Sequence, residues 1–299
     1  MSDINNNGTA LRSSGRALRA LFGMTRVLRG RAEHHHGEEA CNADRLVPRT
    51  KLISAYSIGA ALILATVATA SAQAQLRCAA FDNWSPAVPE PRVAPDAVAT
   101  FNRINKAVKT QSYRVLFLGD SITERWQMPV WDAKPVWDAN MTPRGVLNAG
   151  VSGDRTEHLR WRLDHGNLDG PAPKGVVVLI GTNDLGHGRA PAEAAEGIRA
   201  TLIQLRQKLP STRILLLGLW PRGATPADPL RQGTVAVNRL IASCDDNDTI
   251  IYADIGGVLL EPNGTLTRRI SPDLLHFGAA GYQRIVSQLD PLIDRLVGR

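Results

Sequence analysis

Four short segments gather the residue types that acyl transfer needs. They are Gly119-Asp120-Ser121-Ile122-Thr123, Asn148-Ala149-Gly150-Val151-Ser152-Gly153-Asp154, Gly181-Thr182-Asn183-Asp184 and Pro272-Asp273-Leu274-Leu275-His276-Phe277-Gly278. A serine hydroxyl is a poor nucleophile until a neighbouring base takes its proton. His276 is such a base if one ring nitrogen faces Ser121 and a carboxylate holds the other. Asp273, three residues earlier in a turn bounded by Pro272 and Gly278, has the reach to fix the tautomer and stabilise the imidazolium. Each segment alone is a weak signal. Gly-Asp-Ser is common in turns, a strand-end Asn is more often a cap, and Asp-x-x-His is more often structural. Their joint occurrence, in this order, carries the weight.

The elements that must position these residues follow from hydrophobic pattern. Short, nearly continuous apolar runs at Arg114–Leu118, Gly145–Asn148, Val176–Ile180, Ile214–Leu219 and Thr249–Ala253 read as strands covered on both faces. Helical periods lie between them at Thr156–Leu163, Pro191–Leu209 and Pro229–Cys244, and a last helix runs from Ala279 to Leu296. Ahead of the first strand, Asp96 is expected to cap a helix through Thr110, with Val98, Phe101, Ile104 and Val108 on one face. This alternation predicts an α/β domain over residues 96–299, a parallel sheet with helices on both sides. Ligand sites then lie at the carboxyl ends of the strands, where the first three segments fall, and the fourth leads into the last helix.

From about residue 113 to 296 the chain resembles the SGNH (GDSL) hydrolase family. The resemblance rests on GDSIT at the serine, Gly153 in NAGVSGD, Asn183 in GTND, and Asp273-x-x-His276. The segments NAGVSGDRTEHLRWRL, GTNDLGHG and LGLWPRG look closer still to the platelet-activating-factor acetylhydrolase catalytic-subunit branch. The resemblance implies a flavodoxin-like three-layer α/β/α sandwich on a five-stranded parallel sheet. It also implies a serine esterase with Ser121, His276 and Asp273 as triad, needing no cofactor. The backbone N–H groups of Ser121 and Gly153 and the side-chain amide of Asn183 would form the oxyanion hole, Gly153 permitting the close approach or positive φ that such a donor needs. Short acyl esters, acetyl above all, are the expected substrates; the group carrying the acyl chain, glycan or lipid, is not legible. A lysophospholipase or thioesterase is the alternative within hydrolases. Two rivals stand outside them: a silent relative that binds acylated glycans, and a phosphate-binding protein of similar fold. The complete triad speaks against the first; the lack of G-x-G-x-x-G or a P-loop opening a helix speaks against the second.

Other residues at the strand ends have weaker claims. Ser152 lies between two glycines but does not make G-x-S-x-G, because Gly153 follows it directly. Asp120, His187 and Trp220 are candidates for the substrate pocket. Asp120 and Asp184 read more readily as acceptors for turn N–H groups than as metal ligands. Trp126, Trp161 and Tyr282 lean to the core. Neither the His34–His36 run nor the three cysteines have zinc-ligand spacing, so no metal is expected.

The formal charge is +7, with 35 Lys/Arg against 28 Asp/Glu. Residues 1–74 hold nine of the basic and five of the acidic residues, leaving +3 for the rest, and no aromatic-interleaved basic stripe occurs. Nucleic acid is not an expected partner. Residues 1–50 read as a disordered basic extension. Residues 51–74, with the apolar run Ile53–Ala70 between basic residues and Ala72-Gln73-Ala74, read as a signal peptide with a signal anchor in the membrane as the alternative. Export to the periplasm or medium follows. Residues 75–95, with Pro86, Pro89, Pro91 and Pro95, read as an extended linker. Cys78 and Cys244 either pair in an oxidising compartment or stay separate thiols. The acetylhydrolase branch often dimerises, and nothing in this sequence decides whether this chain does.

Overall fold

The computed structural model describes residues 76, 78–80 and 84–298; the basic extension, the apolar run and His34–His36 lie outside them. Helix α1 (Pro95–Thr110) comes first. The chain then alternates: β1 (Val115–Gly119), α2 (Ser121–Trp126), α3 (Ala133–Asn140), β2 (Val146–Gly150), α4 (Thr156–Asp164) and β3 (Gly175–Leu179). It continues through α5 (Thr182–Gly186), α6 (Pro191–Lys208), β4 (Arg213–Leu217), α7 (Pro229–Ile241), β5 (Ile250–Ala253) and α8 (Ala279–Val297). The five strands form one parallel sheet in the order β2-β1-β3-β4-β5. Every residue of β1, β2 and β3 is buried, as strands covered by helices on both faces must be. In this order β1 and β3 are neighbours with β2 outside them, so a crevice opens at their carboxyl ends, the usual ligand position in such sheets.

Register makes that crevice compact. Gly119 at the end of β1 lies level with Gly150 of β2 and Leu179 of β3. The segments after these three strands therefore leave the sheet side by side. A tight aromatic stack closes the core beneath them: Trp126 lies parallel to Tyr282 at 4.6 Å, and Trp220 meets Trp126, Tyr282 and Phe277 edge-on.

Several local expectations shift. Helix α1 begins at Pro95 with Ala94 as its cap residue, and Asp96 sits in the first turn instead of capping it. Its inner face is Ala97, Ile104, Ala107 and Val108, so Val98 points outward at 39% exposure. The pattern Val98-Phe101-Ile104-Val108 was ambiguous because small alanines, not the larger residues, mark the tightest contact. Helix α3 was not legible: it spans only eight residues, with Pro135 near its start, too short a stretch to show a period.

Residues 84–94 contain no helix or strand, yet they do not behave as a loose linker. They run antiparallel along α4: Arg160 donates to the Ala87 carbonyl, Arg155 pairs with Glu90 at 3.2 Å, and Arg92 reaches Gly153. Cys78 is bonded to Cys244, just past the end of α7, and both are buried. The prolines keep this strap extended, and side chains from α4 hold it down.

Candidate active site

Ser121 is the first residue of α2, separated from the β1 end only by the cap residue Asp120, and is 6% exposed. Two bonds fix the turn that carries it. The Asp120 carboxylate accepts from the Ile122 N–H at 2.9 Å, and the Tyr282 hydroxyl donates to the Ile122 carbonyl at 2.6 Å. His276 comes from the loop before α8, 155 residues away, and its Nε2 lies 2.8 Å from Ser121 Oγ. Its Nδ1 lies 2.7 Å from Asp273 Oδ2, while the other Asp273 oxygen accepts the backbone N–H groups of Leu275 and His276. Ser271 Oγ donates to the His276 carbonyl at 2.7 Å and pins the loop from below. The structure thus brings Ser121, His276 and Asp273 into one hydrogen-bonded line. The carboxylate calls for a proton on Nδ1, which leaves Nε2 to accept from the serine.

The loop achieves this at a local cost. Leu274 has φ of 64°, a left-handed conformation that a side chain with a Cβ rarely adopts. The strained residue lies between Asp273 and His276 and folds them toward each other. Its carbonyl accepts from the Gly223 N–H at 2.8 Å, one of the contacts that hold it there.

The electrostatics suit a base. Burial pushes the His276 ring below its usual value, the Asp273 hydrogen bond opposes this, and the positive fields of Arg125 and Arg222 push it further down. At neutral pH the imidazole is therefore neutral. Burial works to raise the Asp273 carboxyl, but the hydrogen bonds from the His276 ring and from two backbone N–H groups outweigh it and hold it low.

Gly153 and Asn183 stand at the ends of the neighbouring strands. Gly153 has φ of 79°, the left-handed geometry for which glycine suits the position. Asn183 donates one amide N–H to the Asp154 carbonyl at 2.9 Å, which ties the β3 end to the β2 end and leaves the second N–H of the amide for other use. Asp154 in turn holds Arg162 of α4 at 2.6 Å, and Arg162 reaches the Gly119 carbonyl and Asn167. A second network joins Asp184, Thr156, Arg189 and Glu157. Arg189 and Arg155 outweigh the burial of Glu157 and hold its carboxyl down at about 2.

Two of the pocket candidates are placed otherwise. Trp220 is 1% exposed inside the aromatic stack, where its large ring is worth more as core than as a substrate contact. Asp120 is 1% exposed and faces its own turn; burial pushes its carboxyl up to about 7. His187 lies on the surface at the end of α5, with Nδ1 2.8 Å from the Asn183 carbonyl. Ser152 is engaged elsewhere, its hydroxyl and N–H both bonded to Glu124. Sequence reasoning passed over Arg162, Arg222 and Leu274. Arg162 stands two helical turns after Asp154, a spacing that matches a buried pair only once the helix start is known. No sequence signal marks a leucine with positive φ.

Among the described residues Glu90, Glu157 and His158 are close enough together to suggest a cation site. Arg155 and Arg189 already supply the positive charge there, so the group does not fit a metal.

A profile of the GDSL-like lipase/acylhydrolase family matches residues 117–284. The alpha2 subunit of platelet-activating factor acetylhydrolase IB from Rattus norvegicus is 34% identical over 197 residues, which cover 66% of this chain and 82% of that protein. The alpha1 subunit from Homo sapiens is 32% identical, covering 64% of this chain and 80% of the relative. A GDSL-like lipase from Bacteroides thetaiotaomicron shares the fold with a TM-score of 0.54, at 19% identity and covering 66% of this chain and 98% of that one. With its parallel sheet and the Ser121 and His276 segments inside the matched range, this chain belongs to the GDSL-like lipase/acylhydrolase family and is a carboxylic ester hydrolase.

Proposed function

We propose that the protein cleaves short-chain, chiefly acetyl, esters through an acyl-enzyme on Ser121. The observation that carries this reading is the unbroken Ser121–His276–Asp273 line, with contacts of 2.8 and 2.7 Å. Neutral His276 takes the serine proton as Oγ attacks the ester carbonyl, then returns it to the leaving alcohol. Water, activated by the same ring, releases the acid. The Ser121 and Gly153 N–H groups and the second N–H of Asn183 receive the oxyanion. Such donors are worth about a hundred- to a thousand-fold each in turnover. Three observations support a short acyl group. Trp126, at the end of the helix that Ser121 begins, Trp220, and Phe277, next to His276 in the chain, are large rings 1% exposed or less. The loop carrying His276 packs on Trp220 through Phe277, whose ring meets it edge-on at 5.5 Å. The relatives named acetylhydrolases are above 30% identical.

Hydrolysis of p-nitrophenyl acetate, butyrate and octanoate tests the reading. Turnover is expected to be fastest on acetate and to fall by about three or more powers of ten in Ser121→Ala. Equal rates in the two folded proteins would contradict it. The buried Cys78–Cys244 bond further supports an exported enzyme, since such bonds persist in oxidising compartments. Fractionation of the native host, with the chain found only in the cytoplasm, would contradict export.

A further inference from the structure

Three half-buried arginines lie beside segments that hold the proposed site residues, and none has a carboxylate within ion-pairing distance among the described residues. Arg92, carried by the strap, lies against Gly153, where an added Cβ would fall 2.5 Å from a guanidinium nitrogen. Arg125 of α2 sits 5.8 Å above the Trp131 ring, and that ring is 6.4 Å from the His276 ring. Arg222, past the end of β4, donates to the carbonyl and hydroxyl of Thr182 at 2.9 and 3.2 Å and lies beside Gly186.

Their neighbours at this end of the sheet are matched differently. Arg155, Arg162 and Arg189 each hold a carboxylate at 2.8 Å or less. The acidic groups near these three arginines are spoken for. Asp273 is bonded to His276, Asp228 caps α7, Asp154 is bonded to Arg162, and Asp120 is buried with a carboxyl driven toward neutrality. Holding a guanidinium partly out of water without an anion is unfavourable. The positive fields of Arg125 and Arg222 also reach His276 itself. Cations gathered without carboxylate partners near one site concentrate anions there.

From this placement of Arg92 against Gly153, Arg125 over the Trp131 ring beside His276, and Arg222 on Thr182, and resting on the Ser121 esterase reading above, we propose that the preferred substrate is an ester whose leaving alcohol carries an anionic group. A carboxylate or a phosphate has the required chemistry, and guanidinium groups bind either through paired N–H donors. The strap is then part of the specificity apparatus, because it supplies Arg92.

The test compares aryl acetates of one shape and different charge: 4-acetoxybenzoate, 4-acetoxyphenyl phosphate, neutral 4-acetoxybenzamide and (4-acetoxybenzyl)trimethylammonium. Each kcat/KM is divided by the probe's own hydroxide-catalysed rate. At low salt at least one anionic probe should exceed the cationic probe by about tenfold or more, and the better of the two identifies the anion. The ratio should shrink toward one at about 0.5 M salt. In the Arg92→Gln/Arg125→Gln double variant it should also fall toward one, whereas Lys174→Gln, an exposed charge at the far end of β3, should leave it unchanged. Equal handling of anionic and cationic probes, or a preference that survives the double variant, overturns the proposal. Absence of Ser121-dependent hydrolysis of the neutral probe overturns the esterase reading on which it rests.

Discussion

The carboxylate that supports His276 is a near neighbour in sequence and partly solvated, whereas the Arg162–Asp154 pair on the Gly153 and Asn183 side is buried and reaches across to β1. Asp273 and His276 are three residues apart, and the Asp273 side chain is 40% exposed. Across the cleft, Arg162 and Asp154 are 3% and 0% exposed, and Arg162 reaches Gly119 over 43 residues of sequence. On the proposed mechanism, the group that accepts and returns a proton is held by a partly solvated carboxylate. The loops that must stay level with the nucleophile are held by charges whose loss would damage the fold. The difference predicts that changes on the first side remove activity and spare stability, while changes on the second cost both.

The largest expected effect is that of Asp273→Asn. Asparagine keeps an oxygen for the two backbone N–H groups but presents an amide to His276 Nδ1. Turnover should fall by about four powers of ten, through the wrong tautomer, with Tm little changed in a thermal melt. A comparable loss of stability would break the comparison.

Next is Arg162→Met, which leaves Asp154 buried and unpaired. Urea unfolding should show a loss of about 3–5 kcal/mol. A cost under about 1 kcal/mol, the worth of an exposed pair, would place this network on the same footing as the Asp273 loop.

Replacing Cys78 and Cys244 by serine removes a cross-link that closes a loop of 166 residues. A loss of about 2–4 kcal/mol is expected in the same assay. The anionic-probe ratio should fall with it if the cross-link, by anchoring the strap, also helps to place Arg92.

The smallest effects are in pH dependence. The acid limb of kcat/KM should lie below pH ~6.5, the ordinary histidine value, because His276 is pushed down in the folded state. Stability is pulled in opposite directions by pH. Burial pushes His158 down to about 4, so the neutral ring favours folding above the ordinary histidine range and that contribution is lost as pH falls toward 4. Asp120, raised to about 7 by burial, favours folding when protonated, and its contribution is lost as pH rises through 7. Asp120→Asn retains the oxygen that caps Ile122 while removing the charge, and should raise Tm by a few degrees at pH 8. A lower Tm there would show that the charge is not a burden.

The fold class was legible because the strands are buried on both faces: Val115-Leu116-Phe117-Leu118 and Val176-Val177-Val178-Leu179 leave no polar alternation to confuse the period. The segments that hold Ser121, Gly153 and Asn183 were legible because glycine and polar residues follow such strands where the backbone turns, and Asp273-x-x-His276 because it leads into the last helix and completes the family pattern. What escaped was everything that depends on distance across the sheet. Arg92 reads as one more residue of a proline-rich stretch until the strap is seen lying along α4. Trp220 stands at a strand end in the sequence, but the neighbouring Trp126, Phe277 and Tyr282 draw it inward. Val98 was misread because Ala97 and Ala107, small enough for close packing, set the rotation of α1, and Asp96 because Pro95 takes the first helical position and leaves Ala94 as the cap residue.

The most direct test of the account is to trap the intermediate. The protein would be mixed with p-nitrophenyl acetate, quenched in acid within its first turnovers, and its peptides mapped by mass spectrometry. The account predicts one acetyl group on the peptide holding Ser121 and on that residue. Ser121→Ala, with an unchanged melting temperature, should show neither the acetyl group nor the hydrolysis. Acetyl found on Ser152, or full hydrolysis by the Ser121→Ala protein, would contradict it.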